Sequence, residues 1–65
     1  MTLLEKYQEY PRTCELTVAE DIVLSIVDEM TGRKGIGNEF ESIDEDIQEE
    51  ILEAWVEIAN KKLNA

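Results

Sequence analysis

The residues best suited to catalysis or binding are five acidic residues in the last third of the chain. They are Asp46, Glu49, Glu50, Glu53 and Glu57. Their spacings of three, one, three and four residues place all five on one face of a helix, over roughly 16 Å. A row of carboxylates can perform acid/base chemistry, bind a metal ion or attract a cationic partner.

Catalysis and metal binding are the weakest of these interpretations. The chain has no histidine, which removes the commonest general base and every Ser-His or Cys-His nucleophile arrangement. A catalytic carboxyl group needs burial to raise its pKa, and we expect these five to be exposed. Asp44 to Asp46 lack the alternate ligands and central glycine of a calcium loop. We therefore expect no enzymatic activity, no cofactor and no specific metal site.

One other segment resembles a chemical motif without completing it. Residues 32 to 37 are rich in glycine and contain Arg33 and Lys34, but they lack the Gly-Lys-Ser/Thr ending and the preceding strand of a phosphate loop. Cys14 is the only cysteine, so an internal disulfide is excluded and an inert small hydrophobic residue is expected. No signal-peptide pattern and no apolar run of about 20 residues is present. A cytoplasmic protein is predicted.

The charge balance indicates the class of partner. Sixteen acidic residues against six basic ones give a net charge of -10 in 65 residues. Direct binding to nucleic acid or to an anionic membrane is disfavoured, because that affinity comes from lysine and arginine. The expected partner of the carboxylate row is a basic protein surface, although a solvated helix face also explains the row.

Two helices that precede the row have clear boundaries. The first begins at Thr2, docks through Leu3, Leu4 and Tyr7, and ends before Pro11. The second is predicted over residues 18 to 31, because Thr17 and Glu20 form a capping box and Gly32 stops the helix. Its predicted apolar face consists of Val18, Ile22, Val23, Ile26, Val27 and Met30. Its β-branched content leaves a strand within residues 13 to 27 as an alternative.

The carboxylates themselves are assigned to a third helix. The three glycines at 32, 35 and 37 predict a loop over residues 32 to 38. A second capping box over residues 42 to 45 then predicts a helix from Ile43 to Leu63. The predicted fold is a single all-α, three-helix domain over residues 1 to 65. It consists of a short first helix and an antiparallel hairpin, alone or in a dimeric bundle.

The third helix has more apolar surface than one small neighbour can cover. One arc, predicted to be core, contains Ile43, Ile47, Ile51, Ala54, Trp55 and Ile58. A second row contains Leu52, Val56, Ala59 and Leu63. Either the first two helices cover one row each, or Leu52, Val56 and Leu63 pair with a second copy of the chain.

Two functions follow from these two surfaces. The first is a small regulatory or inhibitory protein-binding module, whose five carboxylates contact a basic protein surface. An inhibitor that occupies a nucleic-acid-binding groove is one version of it. The alternative is a structural, self-associating helical module whose charge serves only solubility.

Overall fold

The computed structural model describes residues 2–10, 12 and 15–64, which contain four α-helices and no strand. The helices are α1 (Leu3–Glu9), α2 (Val18–Thr31), α3 (Ile36–Ser42) and α4 (Glu45–Leu63). The all-α prediction is confirmed, and the alternative of a strand is wrong for residues 18 to 27. Cys14, which was predicted to be an inert small hydrophobic residue, lies outside the described residues.

α2 begins at Val18 as predicted, and α1 begins at Leu3, one residue after its predicted start; each has a capping box. In α2 the Thr17 hydroxyl accepts a hydrogen bond from the Glu20 N–H, and the Glu20 carboxylate accepts one from the Thr17 N–H at 3.0 Å. The Thr17 N–H lowers the pKa of the Glu20 carboxyl group, and the Lys6 ammonium group 3.0 Å away acts in the same direction. In α1, Thr2 and Glu5 make the equivalent pair of hydrogen bonds.

The predicted loop over residues 32 to 38 is correct for residues 32 to 35 and wrong for residues 36 to 38, because α3 begins at Ile36. Gly35 has a φ of 88° and precedes the first residue of this helix. Gly37 lies on the buried side of α3, against the backbone of Thr31 at the end of α2. Phe40 is buried three residues later. The glycines therefore allow a tight approach between two helices, and the described residues form four helices in place of the predicted three.

The predicted start of the last helix is also wrong. The Ser42 hydroxyl donates to the Asn38 carbonyl inside α3, so it does not cap the next helix. α4 begins at Glu45, two residues later than predicted, and its N-cap residue Asp44 makes no side-chain capping hydrogen bond. α4 ends at Leu63 as predicted. No helix among the described residues is both long and apolar enough to cross a membrane.

The core lies mainly between α2 and α4, which pack against each other more extensively than any other pair of helices. Its fully buried large side chains are Leu24, Val27 and Leu52. The other buried apolar side chains are Leu4, Ala19, Val23, Phe40 and Val56. At about 25 cal/mol per Å² of apolar area removed from water, this small core is the main stabilising contribution available to the chain.

The predicted core arc of the last helix is mostly wrong. Ile47, Trp55 and Ile58 are exposed, and so is Ala54. Ile43 and Ile51 are half-buried and pack against the edge of the core. The second row supplies the core instead through Leu52, Val56 and the half-buried Ala59. Relative to the prediction, α4 is rotated about its own axis, so that most of the predicted core arc faces outward.

The predicted apolar face of α2 is also only partly buried. Val23 and Val27 are buried as predicted, and Met30 packs against the core. Val18, Ile22 and Ile26 were also predicted to be buried, and they are exposed. Leu24, which was not part of the predicted face, is completely buried.

α1 crosses one side of the α2 and α4 pair. Its Leu4 side chain enters the core, as the predicted docking face required. The Tyr7 hydroxyl group hydrogen-bonds the Thr31 hydroxyl group at 2.8 Å, and the Tyr7 ring meets Phe40 edge to face at 6.4 Å. The Lys6 and Glu20 ion pair adds a further contact with α2. α1 is thus held by side-chain contacts over its whole length.

Candidate protein interaction site

The acidic face is the surface of α4 that carries Asp46, Glu49, Glu50, Glu53 and Glu57. Because α4 is one continuous helix, it keeps these five side chains on one side. That side lies next to α1, since Glu49 reaches the start of α1 and Leu3 lies beside Glu53 and Glu57. The structure leaves four of the five exposed, and Glu49 is half-buried.

Glu49 caps the neighbouring helix. Its carboxylate accepts hydrogen bonds from the backbone N–H of Leu4 at 2.6 Å and from that of Leu3 at 3.3 Å. These are first-turn donors of α1, which have no partner inside the helix. A negative charge at this end also interacts favourably with the helix dipole. Glu49 therefore joins α1 to α4 across 46 residues of sequence, and it is the least available of the five carboxylates for a partner.

Replacing Glu49 by glutamine should lower the free energy of unfolding by about 1 to 2 kcal/mol, because glutamine lacks the negative charge and one of the two oxygens that accept from the Leu3 and Leu4 N–H groups. Urea unfolding followed by circular dichroism measures this loss. The matched control is Glu50→Gln, which removes the adjacent exposed charge and should change stability by less than about 0.5 kcal/mol. Equal stability of the two variants would show that Glu49 does not hold α1.

The four exposed carboxylates differ in their surroundings. Glu57 lies 3.3 Å from the Lys61 ammonium group one turn later, in an ion pair exposed enough to contribute little stability. Asp46 accepts a hydrogen bond from the Ile47 N–H at the start of the helix. Glu50 and Glu53 have no ion pair with any residue in the described part of the chain. The middle of the acidic face therefore carries two charges without a counter-charge.

A shallow groove adjoins this face where α1 meets the second half of α4. Its apolar floor contains Leu3 and Val56, and Glu53 and Glu57 lie on its rim together with Asn60, Lys61 and Asn64. Sequence reasoning did not find this groove, because its floor comes from opposite ends of the chain. The arrangement suits a long basic side chain, whose methylene groups cover apolar surface while its charged end reaches a carboxylate.

The residues predicted to self-associate are not brought together on an open surface. Leu52 is completely buried and Val56 nearly so, and they pack in the core with residues of α1 and α2. Leu63 is exposed at the end of α4. The helices of the chain itself therefore cover the part of this row that was predicted to meet a second copy.

No three histidine, cysteine, aspartate or glutamate side chains converge closely enough for a metal ion among residues 2–10, 12 and 15–64. In the same ranges, every buried polar side-chain atom has a hydrogen-bond partner. Comparison with protein-family models, curated proteins and solved structures gives no match.

Proposed function

We propose that this chain is a regulatory or inhibitory module that binds a basic protein surface and catalyses no reaction. The observation that carries the proposal is the exposure of Glu50 and Glu53 without a counter-charge, beside the exposed Asp46 and Glu57. Like charges at this spacing destabilise an isolated helix by a few tenths of a kcal/mol per pair. Binding of a cationic partner would relieve this repulsion between the carboxylates.

The contact that we propose is between the acidic face and lysine or arginine side chains of the partner. The apolar floor formed by Leu3 and Val56 would accept the methylene groups of one such side chain, with its charged end between Glu53 and Glu57. Glu49 is excluded from this contact because it caps α1. A partner whose basic groove normally holds nucleic-acid phosphates is one version, because the carboxylates would occupy the same cationic sites. We place this activity in the cytoplasm.

The test is capture of partners by three forms of the chain from an extract of the cells in which the protein naturally occurs. The first is the wild type, and the second combines Glu50→Gln, Glu53→Gln and Glu57→Gln. The third is a matched control that combines Asp28→Asn, Glu39→Gln and Glu41→Gln, which are exposed on α2 and α3. Both variants change the net charge from -10 to -7, so they differ only in which surface is neutralised.

We expect wild type and the control to retain the same basic proteins, and the α4 variant to lose them. Elution should need only moderate salt, since several exposed charge pairs weaken together as the ionic strength rises. Retention of the same proteins by the α4 variant would contradict the proposal. Equal loss of the captured proteins from both variants would show that only the net charge matters, which would also contradict the proposal.

A further inference from the structure

The chain exposes a second surface, which is apolar. We call it the apolar flank, and it consists of the exposed side chains Val18, Ile22 and Ile26 of α2 and Ile47, Trp55 and Ile58 of α4. In α2 these residues lie four apart and form a single ridge along the helix. The exposed fractions range from 37% for Trp55 to 66% for Val18, so none of the six is a core residue of the single chain.

The two halves of the apolar flank lie on the same side of the fold. At about 100° per residue, the side of α4 that carries Ile47 and Ile58 lies across the buried stripe from Glu49, which faces α1. In α2, Ile22 and Ile26 likewise lie across the buried stripe from Glu20, which contacts Lys6 of α1. Because α1 covers one side of the packed pair, both ridges face the opposite side, which none of the described helices covers.

The flank of α4 excludes negative charge although the chain is strongly acidic. About 100° of its circumference holds Ile47, Ile51, Ala54, Trp55, Ile58 and Lys62. All six acidic residues of α4 lie outside that sector. Along α2, Glu29 lies in the same sector as the ridge, just beyond Ile26, and the Arg33 guanidinium group pairs with it. This is a surface through which two acidic molecules can meet without burying an unpaired carboxylate.

The exposed area is consistent with a missing partner. A compact monomer of 7.5 kDa is expected to expose about 4,250 Å², whereas this chain exposes 4730 Å². The excess is roughly 500 Å², or on the order of 10% of the surface. A small protein typically gives a similar fraction of its surface to a specific interface. Two copies joined through such areas would bury on the order of 1,000 Å², the range of weak and reversible complexes.

We propose that a second copy of this chain covers the apolar flank, in a symmetric dimer that forms at micromolar concentration. A two-fold axis brings identical surfaces together, and an uncharged apolar surface is complementary to itself. The acidic faces remain outward in this dimer, because they lie beside α1 on the other side of each copy. The dimer does not depend on the proposed binding of a basic partner, and either can fail without the other.

Sedimentation equilibrium between about 1 and 200 µM tests the dimer. The wild-type mass should rise from 7.5 kDa towards twice that value, 15 kDa. Added salt should strengthen association, because it screens the repulsion between two copies that each carry a charge of -10. Binding to a basic partner has the opposite salt dependence, so one series of ionic strengths separates the two surfaces.

Two substitutions on the apolar flank, Ile26→Glu and Ile58→Glu, should each weaken dimerisation at least tenfold while circular dichroism shows unchanged helicity. The matched control is Leu63→Glu. The Leu63 side chain is 50% exposed and that of Ile58 is 55% exposed, but Leu63 lies about 140° away from Ile58 around α4. This control should dimerise like the wild type. A wild type that stays at 7.5 kDa throughout, whether or not it binds other proteins or lipid vesicles, would overturn the proposal. Undiminished dimerisation of both flank variants would do the same.

Discussion

Replacement of Gly37 by alanine should remove a large part of the stability of the fold. A Cβ atom at this position would lie 2.3 Å from the carbonyl oxygen of Thr31 and 2.8 Å from its carbonyl carbon. Both are backbone atoms at the end of α2, so relief requires α2 and α3 to separate. Overpacking typically costs about 1 to 3 kcal/mol, and a domain of this size rarely has more than about 3 to 5 kcal/mol of stability. Urea unfolding followed by circular dichroism should show a midpoint far below that of the wild type, with a loss of about 1 to 3 kcal/mol in the free energy of unfolding.

The matched control is Gly32→Ala. Gly32 has a φ of -78°, and a Cβ atom there would meet its nearest neighbour, the Glu29 carbonyl oxygen, at an ordinary 3.5 Å. This variant should be as stable as the wild type or more stable by a few tenths of a kcal/mol, because alanine reduces the entropy of the unfolded chain. If Gly37→Ala unfolds at the same urea concentration as Gly32→Ala, α3 does not pack against α2 in this way.

The second large effect is expected for Leu52→Ala. Leu52 is completely buried between α4 and the remaining helices, and truncation of such a leucine costs about 2 to 5 kcal/mol through lost burial and a residual cavity. The midpoint of urea unfolding should fall strongly and by the same amount at every protein concentration. That independence distinguishes a core residue from one at a dimer interface, whose loss depends on concentration.

Leu63→Ala is the natural comparison, because Leu63 belongs to the same apolar row by sequence and is exposed at the end of α4. It should cost less than about 1 kcal/mol. A concentration-dependent loss in Leu52→Ala, or equal losses in the two variants, would show that this row packs against a second chain and not within one.

The boundaries of α1 and α2 were predictable because their signals are local. A Thr and a Glu three residues apart satisfy the first N–H groups of each helix, whatever the rest of the chain does. The start of α3 was not predictable in the same way. The glycines at 35 and 37 indicated a loop, and only the packed structure reveals that one supplies a positive φ and the other a close helix approach.

The rotation of α4 has a physical cause that periodicity does not contain. Gln48 is buried, and its side-chain N–H groups donate to the carbonyl oxygens of Phe40 and Ile43, both at 2.8 Å. The carbonyl groups at the end of a helix lack partners within it, so the end of α3 favours a donor at this point. With Gln48 turned inward, Leu52 and Val56 follow it into the core and Ile47 and Ile58 turn outward. A pattern that assigns only apolar residues to the core cannot foresee this.

The candidate site was predictable in its composition and only partly in its geometry. Four of the five predicted carboxylates are exposed on α4, because helical spacing alone determines which of them share a face. The role of Glu49 depends on α1, because Glu49 binds the Leu4 N–H, which is 45 residues away in sequence. No local signal marks such a contact. The apolar flank was equally hidden, since its residues were the predicted core.

The most direct test of the central claim, that the middle of the acidic face binds a basic protein, is an affinity measurement on a captured partner. Calorimetry at two ionic strengths should compare wild type, the Glu50, Glu53 and Glu57 variant, and the control at Asp28, Glu39 and Glu41. We predict that the α4 variant binds at least tenfold more weakly with a shallower salt dependence, while the control stays within about threefold. Equal weakening of the two variants, or none in either, would contradict the account.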